Sequence, residues 1–381
     1  MKKPFKILVC PDSFKGSLSA KEVADTIFSA LYHIFPDAQI ITKPLGDGGE
    51  GSMHALYDFG GWNFYECSCH NALMKDCKAK YLVSENKSSA YIESAEAIGL
   101  YGISPADRNP LNTTSYGLGE ILNDAIGRGC KNIFIGLGGS ATNDCGMGML
   151  SALGFDFFDR DGQKLLGRGI DLLNVERVSF TGDLTAFSRI NLYAVCDVEN
   201  PLYGQNGASC IYAPQKGASY SEVETLDRGL KHFSDILASS LHIEFNPFLP
   251  GSGAAGGIGF ALTSILGGEF KKGAEFILKA TGCSQLISQS DLVVTGEGSF
   301  DVQSLMGKIV GTVIKESGNH VIPVIIFAGK VNKMDSENRS LAYTALEIAD
   351  SLKSLELNMK PDVAKANLFN AVSDFFLKVS R

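Results

Sequence analysis

The sequence predicts an α/β protein of two domains, the second inserted into the first. Three observations predict it. Short apolar runs end at glycine-rich loops and pass into helical periodicity at Lys6–Cys10, Ile133–Ile135 and Leu292–Val294, and strands that alternate with helices form parallel sheets with right-handed crossovers. Between about Trp62 and Leu286 the strand-like runs shorten, and the connections become long and rich in Gly, Asn and Pro. The 381 residues exceed what a single core commonly holds. The expected division is 1–61 with 286–381 for the outer domain and 62–285 for the inserted one, with 115–165 assignable to either sheet.

KILVC, Lys6–Cys10, is bounded by Pro11 and reads as a buried parallel strand. Ser19 and Glu22 have capping-box spacing, and Val23, Ile27, Ala30, Leu31 and Ile34 then recur on one helical face. Leu192–Cys196 and Ser209–Ala213 read as short strands of the insert, and Val321–Phe327 as a strand ending at Ala328-Gly329. A closing helix from Pro361 to about Val379 carries Leu368, Phe369, Val372, Phe376 and Val379 on one face, a packing stripe.

Hydrophobic residues make up 45% and charged residues 20% of the chain, an ordinary globular balance. The net charge of −8 argues against a nucleic-acid or anionic-membrane partner, although a local pocket can oppose the global sign. No apolar run reaches spanning length, and the first residues enter a strand with no signal-like segment, so the expected setting is the cytoplasm. The nine cysteines lack regular spacing and read as reduced thiols. Cys67, Cys69, His70 and Cys77 offer zinc-type ligands, but at a spacing that matches no common finger or ribbon; scattered strand residues are the preferred reading.

Several loops could carry chemistry. PDSFKGS, Pro11–Ser17, joins strand to helix, where unpaired N–H groups and the helix dipole suit an anion, with Lys15 as a mobile cation and Asp12 as a metal or proton partner. The alternative is an ordinary loop in which Ser17 or Ser19 caps the helix. GDGGEGS, Gly46–Ser52, sets Asp47 and Glu50 among glycines, so that carboxylates and exposed amides could hold Mg²⁺ and phosphate together; the alternative is a flexible turn. GLGGSATND, Gly136–Asp144, satisfies the G-x-G-x-x-A dinucleotide fingerprint through Gly136, Gly138 and Ala141, with Asp156 about twenty residues on. That match supports a rival, an NAD-dependent oxidoreductase. PGSGAAGGIG, with Gly251, Gly253 and Gly256, follows prolines rather than a strand and reads as an anion-cradling loop.

CDVENPLYG and APQKGA present Asp197 at the end of an apolar strand, Asn200 and Gln215 as neutral hydrogen-bonding groups, and Lys216 as a phosphate-type charge. TGEGSFDVQSLMGK, Thr295–Lys308, places Glu297 and Asp301 at a strand's carboxyl end, Gln303 nearby and Lys308 on the following helix; the alternative is that Asp301 caps that helix. No Walker A, protein-kinase or nucleophile-elbow pattern occurs. Glycine loops, many carboxylates and a few lysines suit phosphoryl transfer, in which positioning and charge neutralisation do most of the catalysis.

In order, DSFKGSLSA, DGGEGS, GGSATND-x-G-x-G, CDV-x-NPL-x-G, QKGA, GSGAAGG-x-G and TGEG-x-x-D-x-Q-x-x-x-GK together resemble the class I glycerate kinases, from about Lys6 to Gly329. The resemblance implies transfer of the ATP γ-phosphoryl group to D-glycerate, giving 2-phosphoglycerate or, through the same loops, 3-phosphoglycerate. It also implies two α/β domains, one flavodoxin-like (Rossmann-like) and discontinuous, the other inserted, with the active site in the cleft. The family's phosphate and substrate loops fall on Asp12, Ser13, Lys15 and Gly16, on Asp47, Gly48 and Gly49, and on Ser140, Asn143 and Asp144. They continue at Asp197, Asn200, Gln215 and Lys216, at Gly253, Gly256 and Gly257, and at Glu297 and Asp301, with Gln303 and Lys308 completing the expected set.

The expected roles follow. Asp197 accepts the hydroxyl proton, Lys15 and Lys216 neutralise phosphate or the glycerate carboxylate, and Asp47, Glu297 and Asp301 hold Mg²⁺. Members usually have alanine at Gly46 and threonine at Ser52, and LGRGIDLLNVERV follows the family only loosely, which leaves Arg168 without an expected role. A kinase of another small hydroxy acid stays open beside the oxidoreductase. The expected partners are ATP and glycerate, with room for a homodimer.

Overall fold

The structure, a computed structural model, describes residues 4–46, 48–49, 51–180, 182, 184–332 and 343–379. Among them thirteen strands follow in chain order. They are β1 Lys6–Val9, β2 Gln39–Thr42, β3 Trp62–His70, β4 Asp76–Ser84, β5 Ser89–Glu93, β6 Asn132–Gly136 and β7 Phe155–Phe158. Then come β8 Arg177–Phe180, β9 Asn191–Val195, β10 Glu269–Lys271, β11 Leu292–Phe300, β12 Val324–Val331 and β13 Tyr343–Glu347. The chain divides into two compact units, unit 1 comprising 1–47, 54–59 and 272–381, and unit 2 comprising 48–53 and 60–271. Residues 115–165 lie in unit 2, and 272–285, which the sequence places in the insert, lie in unit 1 with the helix Gly273–Ala280.

Unit 1 is built on one sheet, ordered β13-β12-β11-β1-β2, with every pairing parallel. Counted within the unit this is the 2-1-3-4-5 order, in which strand succession reverses between β1 and β11. One face packs Ile7, Val9, Val294, Ile325 and Phe327 under the helices Ala20–Ile34 and Pro361–Val379. Those helices bury the stripes Val23, Ile27, Leu31 and Leu368, Val372, Phe376 that their periodicity marks. Each such side chain contributes about 1.5–3 kcal/mol. Val379, the last of the expected stripe, is 68% exposed. The alternate strand residues Leu8, Val293 and Ile326 are buried too, as a parallel sheet covered on both faces requires.

Two strand limits differ from expectation for physical reasons. β11 does not end before its glycines but runs through TGEGSF to Phe300, paired with β12 as far as Val331. A Cβ at Gly296 would lie 2.4 Å from Phe327 O, and one at Gly329 would lie 2.6 Å from Gly298 O. The glycines let two strands approach. β12 begins only at Val324: Val321 is 87% exposed with φ +59°, and Pro323 has no N–H to donate.

Unit 2 holds a six-stranded sheet, β10-β9-β6-β5-β4-β3. Its β3-β4-β5 part is antiparallel and its β5-β6-β9-β10 part parallel. β7 and β8 form a separate antiparallel ribbon. Phe157 of that ribbon packs edge-to-face against Phe233 of the long helix Tyr220–Leu241, at 5.2 Å between centroids. Ser209–Ala213, expected as a strand, is the helix Ala208–Tyr212; five residues are too few for periodicity to separate the two states. Among the described residues no helix is long and apolar enough to cross a membrane.

Candidate active site

In unit 1, the loop after β1 continues alongside β11, with Cys10 N–H bonded to Val294 O and Asp12 N–H to Gly296 O, both at 2.9 Å. Residues 14–18 then close a tight turn, Phe14 N–H to Leu18 O and Leu18 N–H to Phe14 O, with Gly16 at φ +78°. The helix Ala20–Ile34 is capped by its own Ser19 and Glu22, both halves of the capping box being present. That box already satisfies the Ser19 and Glu22 N–H groups. The open space lies beside it, a cavity of about 400 Å³ lined by Asp12, Ser13, Lys15, Ser17, Glu297 and Lys308 together with an apolar wall. The place is where an order-reversing parallel sheet positions ligands, at the carboxyl ends of the strands flanking the reversal.

Glu297 is the unusual group of this cavity. It is 7% exposed, and its Oε1 is buried with no hydrogen-bond partner. Burial pushes its pKa up to about 7, the Asp12 charge adding to the rise while the Ser304 hydroxyl and Lys308 oppose it. A carboxyl oxygen left orphaned costs about 1–3 kcal/mol unless a ligand completes it. Asp301 is the N-cap of the turn Val302–Leu305, its Oδ1 accepting from Gln303 N–H at 2.8 Å and Ser304 N–H at 3.3 Å. Gln303 is exposed, and Lys308 is the N-cap residue of the helix Ile309–Asn319.

In unit 2, Lys216 is 4% exposed, and its Nζ donates to Ser140 Oγ at 3.2 Å and Thr142 O at 2.7 Å. Burial lowers its pKa to about 8, the Asp144 charge opposing. Asn143 donates from Nδ2 to Ser209 Oγ at 3.0 Å, while its Oδ1 and Thr142 Oγ1 are buried without partners. Asp144 is fully enclosed and organises the loop: its carboxylate accepts from Ser115 N–H and Oγ, both at 2.7 Å, and from Gly146 and Gly148 N–H, both at 3.2 Å. Burial raises its pKa despite these bonds.

The glycines of 251–257 serve packing. A Cβ at Gly256 would lie 2.2 Å from Thr142 O, one at Gly257 2.8 Å from Cys145 Cα, and one at Gly253 2.3 Å from Pro201 O. Cys145 N–H bonds Gly256 O, and Gly253 N–H bonds Asn200 O, both at 3.0 Å. The loop is thus a clamp on 142–145 and 200–201 rather than an open cradle. Asn200 also donates to Asn206 O at 2.9 Å. Asp197 stands half-buried two residues beyond β9, Gln215 is exposed, and its neighbour Lys216 turns inward.

Gly48 and Gly49 are buried; Gly48 N–H bonds Ser52 Oγ at 3.0 Å, and Gly48 O accepts from Tyr91 Oη at 2.7 Å. Glu93, at the end of β5, accepts Met53 N–H at 2.7 Å in the first turn of the helix Ser52–Phe59. Sequence reasoning missed Glu93, although an acid closing the apolar run AYIE was its signal. Asp47, expected as a metal ligand, and Glu50 lie outside the described residues.

The dinucleotide fingerprint lacks its context. The next helix after β6 begins only at Met147, and Asp156 lies in the β7–β8 ribbon paired with Lys164. The cysteines around 67–77 are strand residues, with Cys69 opposite Cys77 and His70 Nδ1 3.0 Å from Glu120 Oε1. Among the described residues no group of three or more His, Cys, Asp or Glu could hold a metal by itself. For Mg²⁺, which keeps several waters and takes one or two carboxylates plus substrate phosphates, the orphaned Glu297 oxygen beside Asp12 is a fitting donor.

The model of the glycerate kinase family matches residues 7–378. The chain is 40% identical over 326 residues to the glycerate 2-kinase of Escherichia coli (strain K12), covering 86% of this chain and 85% of that one. It is 38% identical over 327 residues to a glycerate kinase of Bacillus cereus, covering 86% of each. A crystal structure of a "putative glycerate kinase 2" from Salmonella typhimurium LT2 superposes with a TM-score of 0.81 at 35% identity, covering 99% of both chains.

Proposed function

We propose, since the chain belongs to the glycerate kinase family, that it transfers the γ-phosphoryl group of ATP to the 2-hydroxyl of D-glycerate, giving 2-phosphoglycerate and ADP. The observation that carries phosphoryl transfer is Glu297: a buried carboxyl with an orphaned oxygen, in a cavity that also presents Lys15 and Lys308. The name of the Escherichia coli relative supports the 2-hydroxyl. We place the reaction in the cytoplasm, where free cysteines stay reduced.

The roles follow from the chemistry of each group. Lys15 and Lys308 neutralise phosphate oxygens, while Asp12 and Ser13 shape the loop that receives them. Glu297 holds Mg²⁺ directly or through water, with Asp301 and Asp47 as further carboxylates; the ion supplies charge neutralisation at the phosphates. Lys216, buried among neutral acceptors, receives the glycerate carboxylate beside Ser140 and Asn143. Asp197, at the carboxyl end of its strand, accepts the proton of the attacking hydroxyl. Asp144, Gly253, Gly256 and Gly257 hold the groups of unit 2 in place.

The test is ADP release with glycerate, tartronate, erythronate and lactate, followed by phosphorus NMR of the product. Glycerate should be the preferred acceptor and its 2-phosphate the product. A 3-phosphate signal overturns the regiochemistry, a preference for another acid overturns the substrate, and NAD(P)H turnover without ATP would reinstate the oxidoreductase.

A further inference from the structure

The cavity of unit 1 exceeds what phosphates and a cation need. Its volume, about 400 Å³, falls in the range of whole small-molecule sites. Charged and hydroxyl groups come from the loop after β1, from β11, from Lys308 and from Lys330 and Glu347 on β12 and β13; the segment after β13 adds a mainly apolar end. Ile348 and Ala349 follow β13, Leu355 and Met359 come from the stretch beyond, and Ala364 belongs to the first turns of the helix Pro361–Val379. Leu355 is 73% and Met359 38% exposed, apolar surface that a ligand would remove from water.

One amide pair stands at this apolar end. Asn358 Nδ2 donates to the carbonyls of Asp350 at 3.0 Å and of Lys353 and Ser354 at 3.2 Å, and its Oδ1 accepts Asp350 N–H at 3.0 Å. Backbone donors and acceptors cannot exchange roles, so the Asn358 amide has one orientation. Asn367, 3.0 Å from Asn358 Oδ1, must present Nδ2 to it. Its own Oδ1 is then left as a hydrogen-bond acceptor on a residue that lines the cavity.

We propose that this end of the cavity binds the adenine base of ATP, with the aliphatic side chains against the ring faces and Asn367 Oδ1 accepting from the exocyclic amino group. The proposal rests on the kinase reading for the identity of the nucleotide. A guanine base would bring a carbonyl oxygen to the same acceptor, two lone pairs facing each other. A mismatched polar pair of this kind lowers affinity about 10- to 100-fold.

The experiment is calorimetric binding of ADP and GDP, each with Mg²⁺, to the full chain. Wild type should bind ADP about 10- to 100-fold more tightly than GDP. Asn367→Leu should bring the two within a few fold, with the glycerate KM unchanged. Ala349→Trp, which fills the cavity, should abolish binding of both ADP and free adenosine. Equal ADP and GDP binding by wild type overturns the proposal without reference to any variant, as does discrimination that survives Asn367→Leu. If ADP binds as expected but glycerate draws no ADP release, the pocket stands and the kinase reading falls. If glycerate is phosphorylated equally well from GTP, the kinase reading stands and the base pocket falls.

Discussion

The two units place opposite charges under opposite kinds of strain. In unit 1 an acid is buried without enough positive charge, and Glu297 holds its proton up to about pH 7. In unit 2 a base is buried among neutral oxygens, and Lys216 begins to lose its proton at about pH 8. Each site is incomplete by itself: the first calls for a cation, the second for an anion. Their construction differs too. Unit 1 frames open space at a reversal of strand order, whereas unit 2 fills its loops with backbone contacts that leave no room for a Cβ. The lesson is that glycine-rich segments alike in sequence can serve a cavity in one unit and a clamp in the other.

The sharpest test of the chemistry is Asp197→Asn. As the proposed base of unit 2 its loss should lower kcat about 10²- to 10⁴-fold while ADP binding, assigned to unit 1, is unchanged; near-normal turnover in the ADP-release assay removes the role. Next comes the clamp. Gly256→Ala combines φ +70° with a Cβ 2.2 Å from a carbonyl, and chemical denaturation should show a loss of about 2–4 kcal/mol. The comparison in unit 1 is Gly307→Ala, where φ is +104° but nothing lies within 4 Å; its loss should be only about 1 kcal/mol. Equal losses would erase the distinction between clamp and open loop.

Glu297→Gln should separate stability from function. Between pH 4.5 and about 7 the folded chain keeps a proton that the unfolded chain releases, so wild-type stability falls as pH rises through that window. The glutamine variant escapes this, and at pH 8 it should be more stable by up to about 3 kcal/mol, with little difference at pH 4. Its Mg²⁺-supported turnover should nevertheless drop; a variant that is both less stable and fully active refutes the assignment.

Lys216→Met should raise the glycerate KM about 10- to 100-fold, the worth of a charged hydrogen bond, and leave the ATP KM alone. Lysine is charged below its pKa, so the wild-type glycerate KM should climb as pH passes about 8, and the variant should lack that climb. The smallest effect is expected from Ser19→Ala, which removes one half of a capping box for about 1 kcal/mol and should not change either KM. A changed ATP KM would make the N-terminus of helix Ala20–Ile34 part of the anion site.

Much of the framework was readable along the chain. The helices Ala20–Ile34 and Pro361–Val379 announce themselves by apolar stripes, the first also by its capping box, and β1, β6 and β9 by short apolar runs. These signals are local, because helix and strand periods are set by residues a few positions apart. Asp12 and Glu297 each follow an apolar run in the sequence, and the pairing of β1 with β11 brings both to one cavity.

Tertiary structure decided what those local signals leave open. That Gly296 keeps a strand going, that Gly256 presses on Thr142, that Lys216 is buried while Gln215 beside it is exposed, and that Glu93 closes a helix 40 residues earlier are all matters of which distant backbone arrives next to which. A glycine in the sequence states only that no side chain is present. Whether the vacancy admits solvent, a ligand or a neighbouring carbonyl is settled by packing, and burial in turn sets the proton affinity of the acid and the lysine on which the proposed chemistry depends.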